Sequence, residues 1–268
     1  MKWLRKLETA LNLYRSEGIH KIIAILKTQY GIPIPQTLYS NWRVGISSEV
    51  QFWDSFLRTK GLQWSNDYLQ RLDPATALQD RPAALLPDTA TEVHILDVGA
   101  GPLTYLGKTH PGKSIHITAV DPLAYAYDQL LEKHGITPLV RTQPLAAEKI
   151  KKAYNANCFD LVFARNCIDH SYNPEKAILQ MLFVTKPGAY LLMEHIPNEA
   201  ENENWHGLHQ WNFSMSENGD FLIGSRRRVV NMSRKYMHIA EISCELADEG
   251  DGRTLLITRM RKRGNSRS

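Results

Sequence analysis

A chain of 268 residues, 43% hydrophobic and 22% charged, carries enough apolar content for one substantial core plus an accessory region, which excludes a disordered polymer or a repeat array. No apolar stretch approaches the roughly 20 residues that span a bilayer. The N-terminus also lacks the apolar run and small-residue cleavage site of a secretory signal, so a cytoplasmic location is expected.

The formal net charge of +4 is unevenly spread. Met1 to Pro35 holds six Lys and Arg against two Glu, and Arg253 to Ser268 holds six with no acid, which leaves the middle of the chain acidic. The basic tail RMRKRGNSRS reads as a solvated terminus rather than a nucleic-acid or lipid contact. Cys158, Cys167 and Cys244 are odd in number and lack metal-ligand spacing, so free thiols in a reducing compartment are expected.

Residues 1–30 read as two helices split near Gly18, with Leu4, Leu7, Leu11 and Tyr14 on one stripe and Ile19, Ile22, Ile23 and Leu26 on the next. Their basic opposite face allows peripheral contact with a membrane, but packing of the stripe on the protein's own domain is favoured. GIPIPQ breaks the pattern. The stretch Glu49 to Leu69, rich in Phe and Trp, resumes it, and the Pro- and Ala-rich Asp73 to Asp88 reads as a connection. The expected organisation is a helical cap over residues 1–90, closing a cleft in a second unit over 91–268.

That second unit begins with VHILDVGAGPLTYLG, Val93 to Gly107. It reads as a buried parallel strand ending in an acid and turning through Gly99 and Gly101 into a helix, the geometry of a nucleotide-type cofactor site. Asp97 would repel a pyrophosphate there, and Thr104 stands where a dinucleotide fingerprint has its third glycine. S-adenosylmethionine carries no phosphate and presents an ammonium and a sulfonium, which an acid favours. IHITAVDPL follows as a second strand ending at Asp121, twenty residues past Gly101, a spacing that suits a carboxylate holding ribose hydroxyls.

Further strands are expected at Thr137 to Arg141, Leu161 to Ala164 and Tyr190 to Glu194. EISCELAD and RTLLITRM alternate about EGDG as an antiparallel hairpin. Alternating strands and helices call for an α/β architecture with a mainly parallel sheet.

From Glu92 to Arg263 the order of motifs resembles the class I S-adenosylmethionine-dependent methyltransferases. The strand and turn FDLVFARNCIDH and the segment LFVTKPGAYLLMEH extend the likeness. The resemblance implies a Rossmann-like fold, a seven-stranded sheet finished by the antiparallel hairpin, and S-adenosylmethionine as cofactor. It implies that Asp97, Gly99, Ala100 and Gly101 hold the methionine part, that Asp121 and Pro122 hold the ribose, and that Ala147 and Asn166 complete the cofactor site. The third-strand loop QPLAAEK lacks the acid that relatives often have near Ala146, so adenine is left to Ala147, Glu148 or apolar contact.

Acceptor chemistry is expected after the fourth and fifth strands. Methyl transfer is an in-line displacement at an activated sulfonium, so the protein must align the acceptor and take its proton. His170 in ARNCIDHSYNP is the candidate base, with His195 and His209 as further catalytic candidates. Asp169, Glu194, His206 and Trp211 are the candidate acceptor contacts, in loops whose aromatic and polar groups suit a sugar or polyhydroxyl acceptor. His206 and His209 have ligand-like spacing, but no third ligand is fixed by spacing and the resemblance requires no metal, so none is expected. Arg226 to Arg228, with Arg234 and Lys235, read as a charged edge surface in preference to an anion site.

The reading is O-methylation of a small molecule, a sugar or glycan precursor. The alternatives are methylation of a nucleic acid or other macromolecule, and a cofactor-binding protein without turnover. Nucleic acid is disfavoured because the fourth-strand tip lacks an Asn or Asp followed by two prolines and an aromatic residue.

Overall fold

The computed structural model describes residues 38–250 and 252–264. The helices read in residues 1–30 and the last four residues of the basic tail lie outside them. Among the described residues no helix is long and apolar enough to cross a membrane.

Seven strands form one sheet in the order β3-β2-β1-β4-β5-β10-β9. Strands β1 (Glu92–Val98), β2 (Ser114–Asp121), β4 (Phe159–Arg165) and β5 (Thr185–His195) run parallel. They are apolar because helices and loops cover both faces: Ile95, Leu96, Leu161, Val162, Phe163, Leu191 and Leu192 are all fully buried. β10 (Thr254–Lys262) pairs antiparallel with both β5 and β9 (Ala240–Asp248), as the alternation around EGDG predicts. The order reverses between β1 and β4, so the crevice beyond the strand ends opens there.

Two expectations fail. The strand placed at Thr137 to Arg141 does not form; β3 is only Gln143–Pro144, beside Val120 and Asp121. Pro138 removes a ladder donor from the expected run, and Pro144 bounds the pairing that does form.

No helix follows Gly101 either: residues 99–113 are turns and bends. The loop's polar groups are satisfied from outside it. Arg71 Nη1 donates to the Leu103 carbonyl at 2.6 Å, and Gln79 bonds both Tyr105 O and Gly107 N. Leu78 N meets Thr109 O at 2.8 Å. A Cβ on Gly107 would lie 1.9 Å from the Ala77 carbonyl, so this approach requires glycine. The stretch read as a connection is therefore a strap locked to the loop that follows β1, with a short helix at Asp80–Ala83 and with Leu78 and Leu86 in the core.

Residues 212–231, given no strands by the sequence pattern beyond the charged edge at Arg226 to Arg228, form a second, three-stranded sheet, β6 (Asn212–Met215), β7 (Phe221–Gly224) and β8 (Val229–Asn231). Phe213, Phe221 and Ile223 enter the main core from it. The Arg226 to Arg228 turn is exposed, and Arg228 faces Glu175 at 3.6 Å. Arg234 pairs with Asp220 and Lys235 with Glu175.

Helices at Leu38–Arg58 and Ser65–Leu72 confirm the helical pattern read around Glu49 to Leu69. Phe56, Leu57 and Tyr68 share one apolar cluster with Leu103 and with Tyr127, Leu130 and Leu131 of the helix Ala124–Lys133. Asp54 ties the contact by accepting from Lys133 at 2.7 Å and His134 at 2.8 Å. Burying one such large apolar side chain is worth about 1.5–3 kcal/mol, so the shared cluster rather than the surface ion pairs fixes this edge of the crevice.

Candidate active site

A cavity of about 830 Å³ lies at the carboxyl ends of β1, β2, β4 and β5. Its floor begins with Asp97 and Asp121, the acids at the ends of the first two strands. Asp97 accepts a hydrogen bond from Thr104 Oγ1 at 2.5 Å. Burial pushes its carboxyl up to about 6, against the Thr104 bond and the charges of Arg71 and Lys108. Asp121 accepts from Leu123 N at 2.8 Å and Gly101 N at 3.3 Å. It is pushed up to about 7, first by burial and in part by the charge of Glu49.

Gly99 and Gly101 both take positive φ, +70° and +65°. The space a side chain would need is filled by protein: a Cβ on Gly99 would meet Cys167 Sγ at 2.5 Å, and one on Gly101 would meet Trp53 Cζ2 at 2.5 Å. Ala100, Pro122, Ala147, Glu148 and Asn166 also line the cavity. Glu148 is already engaged, accepting from Asn173 N at 3.1 Å. Asn166 sits at φ +45°, and its Oδ1 accepts from Ile196 N at 3.2 Å, stitching the tips of β4 and β5.

Beyond the acids the wall turns strongly polar. His170, in the turn after β4, and His209, in the loop after β5, meet at 3.2 Å between Nε2 and Nδ1 with their rings nearly perpendicular. Glu199 opens the one-turn helix Glu199–Asn202, with Oε1 4.0 Å from His209 Nδ1. Burial and the neighbouring Asp169 push its carboxyl up to about 8. Burial, with the His170 and His206 charges, lowers His209 to about 4. Glu49, on the helix Leu38–Arg58, closes this end with Oε2 3.9 Å from His170 Nδ1 and accepts from Trp53 Nε1 at 2.9 Å. His206 lines the cavity at its exposed rim.

Four expected residues do not reach the cavity. Asp169 is 1% exposed and lies behind His170, which it faces at 3.5 Å. His195 is also 1% exposed. Its Nε2 accepts from Ile168 N at 3.1 Å, which puts the neutral ring's proton on Nδ1, and burial lowers it to about 3. The expected acceptor contact or base is thus a neutral bracket under the β4 turn. Glu194 pairs with Arg165, which also holds Glu249 at 3.0 Å and lies 4.4 Å from the Tyr105 ring centroid. Its carboxylate neutralises a half-buried guanidinium and is not offered to an acceptor. Trp211 is in the apolar core with Phe213.

The sequence reading does not single out Glu49, Arg71 and Arg165, all of which line the cavity. Glu49 and Arg71 act from helices whose approach to the crevice is set by packing, whereas Arg165 ends β4 and shares the strand-end signal of Asp97 and Asp121. Glu49 had a local trace in its i,i+4 spacing from Trp53 on one helix face.

Residues 96–193 match the family model described as "Methyltransferase domain". No curated protein matches the chain significantly. Among solved structures, one chain of a complex between the Haloferax volcanii Trm112 methyltransferase activator and a putative methyltransferase aligns with a TM-score of 0.51 at 11% identity, over 82% of this chain and 99% of that one. The Burkholderia thailandensis 1,6-didemethyltoxoflavin-N1-methyltransferase, solved with its substrate and S-adenosylhomocysteine, aligns with a TM-score of 0.48 at 14% identity, over 87% and 94% of the two chains. The N-methyltransferase NodS from Bradyrhizobium japonicum WM9 gives 0.42 at 15%, over 69% and 93%. The matched domain and the sheet order together support a methyltransferase with S-adenosylmethionine as its methyl donor.

Proposed function

We propose that the enzyme methylates a hydroxyl of a small polar acceptor, a sugar or polyhydroxyl compound such as a glycan precursor. One observation carries this reading: the cavity runs from the two acid-tipped strands to a wall of Glu49, His170, Glu199, His206 and His209. Groups of this kind bond hydroxyls, and Phe52 and Trp53 beside them offer ring faces to a sugar's apolar side.

In this reading Asp97 and the Gly99, Ala100 and Gly101 backbone hold the methionine end. Asp121 and Pro122 hold the ribose, Ala147 borders the adenine, and Asn166 shapes the floor beneath the sulfonium. The acceptor hydroxyl gives its proton to His170, relayed through the bond to His209, while its oxygen attacks the methyl carbon and S-adenosylhomocysteine departs. Asp169 and His195 position that turn from below, and His206 meets the acceptor at the rim. Within the N-terminal region, the helices Leu38–Arg58 and Ser65–Leu72 wall the crevice, through Glu49, Trp53 and Arg71.

The test is release of S-adenosylhomocysteine from purified enzyme offered sugars, nucleotide sugars, polyols, amines and RNA. A hydroxylated small molecule is expected to turn over and yield a methyl ether. Turnover confined to amines or RNA would overturn the reading.

A further inference from the structure

We propose that Asp169, His170, Glu199 and His209 form a binding site for one divalent transition-metal ion at the acceptor end of the cavity. Each offers one ligand atom, and the four atoms all lie within 4.8 Å of one another. His170 Nε2 is 3.2 Å from His209 Nδ1 and 3.5 Å from Asp169 Oδ2, and His209 Nδ1 is 4.0 Å from Glu199 Oε1. Ligands about 2.1 Å from a tetrahedral ion stand about 3.4 Å apart, so these separations bracket the required edge and need only small side-chain adjustment.

A second observation points to a cation. Asp169 is 1% exposed, and neither of its carboxylate oxygens has a hydrogen-bond partner among the described residues. Glu199 Oε2 is buried without one as well. A carboxylate removed from water without a donor is costly, and proteins pair such groups or place them on metals. Here the nearby nitrogens are imidazoles already bonded to each other or, at His195, to backbone N–H groups. A dication satisfies both acids and balances their charge with the two imidazoles neutral.

The donor set selects the ion. Two imidazoles and two carboxylates suit zinc, manganese or iron, whereas magnesium and calcium prefer all-oxygen surroundings. His170, Glu199 and His209 line the cavity while Asp169 stands behind them, so the fifth position that the ion gains by expanding beyond four-coordinate faces the acceptor. Spacing alone pointed to His206 with His209. The fold instead joins the β4 turn to the loop after β5 and leaves His206 outside the set.

The consequence for catalysis rests on the hydroxyl reading above. With the ion seated, His170 and His209 would hold it, and the proton that the metal-free enzyme passes to His170 would go to water instead. The ion would supply a Lewis acid that lowers the pKa of the acceptor hydroxyl, whose proton then passes to water. The O–H bond breaks, the oxygen forms its bond to the methyl carbon as the S–C bond breaks, and neutral S-adenosylhomocysteine leaves.

The test is calorimetric titration of chelator-stripped, tag-free full-length protein with zinc, manganese and magnesium chlorides, with no acceptor present. One zinc or manganese ion per chain is expected, at least tenfold tighter than magnesium. D169N is expected to weaken zinc binding by about 10- to 100-fold and H170A/H209A to abolish it, with S-adenosylmethionine affinity retained as the check on folding. H206A is expected to bind as wild type does. Absence of stoichiometric binding, or equal zinc affinity in D169N, would overturn the site. Metal binding without turnover of any hydroxyl acceptor would overturn only the hydroxyl reading.

Discussion

Trp53 lies directly over Gly101: a Cβ added there would fall 2.5 Å from Trp53 Cζ2 and 3.0 Å from Cε2. The first cofactor loop is therefore shaped by the helix Leu38–Arg58 as well as by its own glycines. Gly101→Ala is expected to combine that clash with a strained φ of +65° and to destabilise the protein by about 1–3 kcal/mol. Cofactor affinity should fall with it. Thermal unfolding and calorimetric titration check both, and adding Trp53→Ala should recover part of the stability by removing the clash.

Asp121 ends β2 with its carboxylate over the loop. Asp121→Ala should weaken S-adenosylmethionine binding by about 1.5–3 kcal/mol, the range for hydrogen bonds to a charged group. Titration of wild type and variant reads this directly. Equal affinities, or a preference for NAD, would contradict the assignment of the two acids.

The same two acids predict a pH dependence of binding. In the cofactor-free protein Asp97 and Asp121 are held up to about 6 and about 7, chiefly by burial. In the roles proposed for them, Asp97 meets the ammonium and Asp121 the ribose as ionised carboxylates. Affinity is therefore full above about pH 7 and declines as pH falls, by up to about tenfold per unit below each value. Titrations at pH 8 and pH 5.5 should differ by at least about tenfold, with proton release on binding near pH 6.5. A flat profile over that interval would contradict the roles of both acids.

His195 serves the fold in a way that is separable from acceptor contact. His195→Leu removes the acceptor for the buried Ile168 N–H and is expected to cost about 1–3 kcal/mol in denaturant unfolding. Asn at the same position should recover part of this through its amide oxygen.

These positions show where sequence pattern stops being sufficient. β1, β2, β4 and β5 are legible because strands buried on both faces read as apolar runs, and the β9–β10 hairpin because one residue in two alternates about a glycine turn. β6 to β8 are three to four residues each, too short for a period to register against a polar background. The missing helix after Gly101 has a tertiary cause, because Arg71, Gln79 and Leu78 satisfy backbone groups that helix formation would have satisfied internally. The site divides in the same way. Asp97 and Asp121 stand at strand ends, which pattern locates, whereas Asp169 and Glu199 are brought together from separate loops by packing. Glu194 and His195 lie at the right strand end but are buried away from the cavity, Glu194 against Arg165 and Arg81 and His195 beneath the β4 turn.

The central claim is that methyl transfer takes place at the His170 end of the cavity, separate from cofactor binding. It is tested most directly by steady-state turnover of His170→Ala on an accepted hydroxyl substrate, with S-adenosylmethionine affinity measured on the same preparation. The account predicts a loss of about 10² to 10⁴ in kcat with cofactor affinity nearly unchanged, whether His170 acts as base or as ligand. Near-normal turnover, or a parallel loss of cofactor binding, would contradict it.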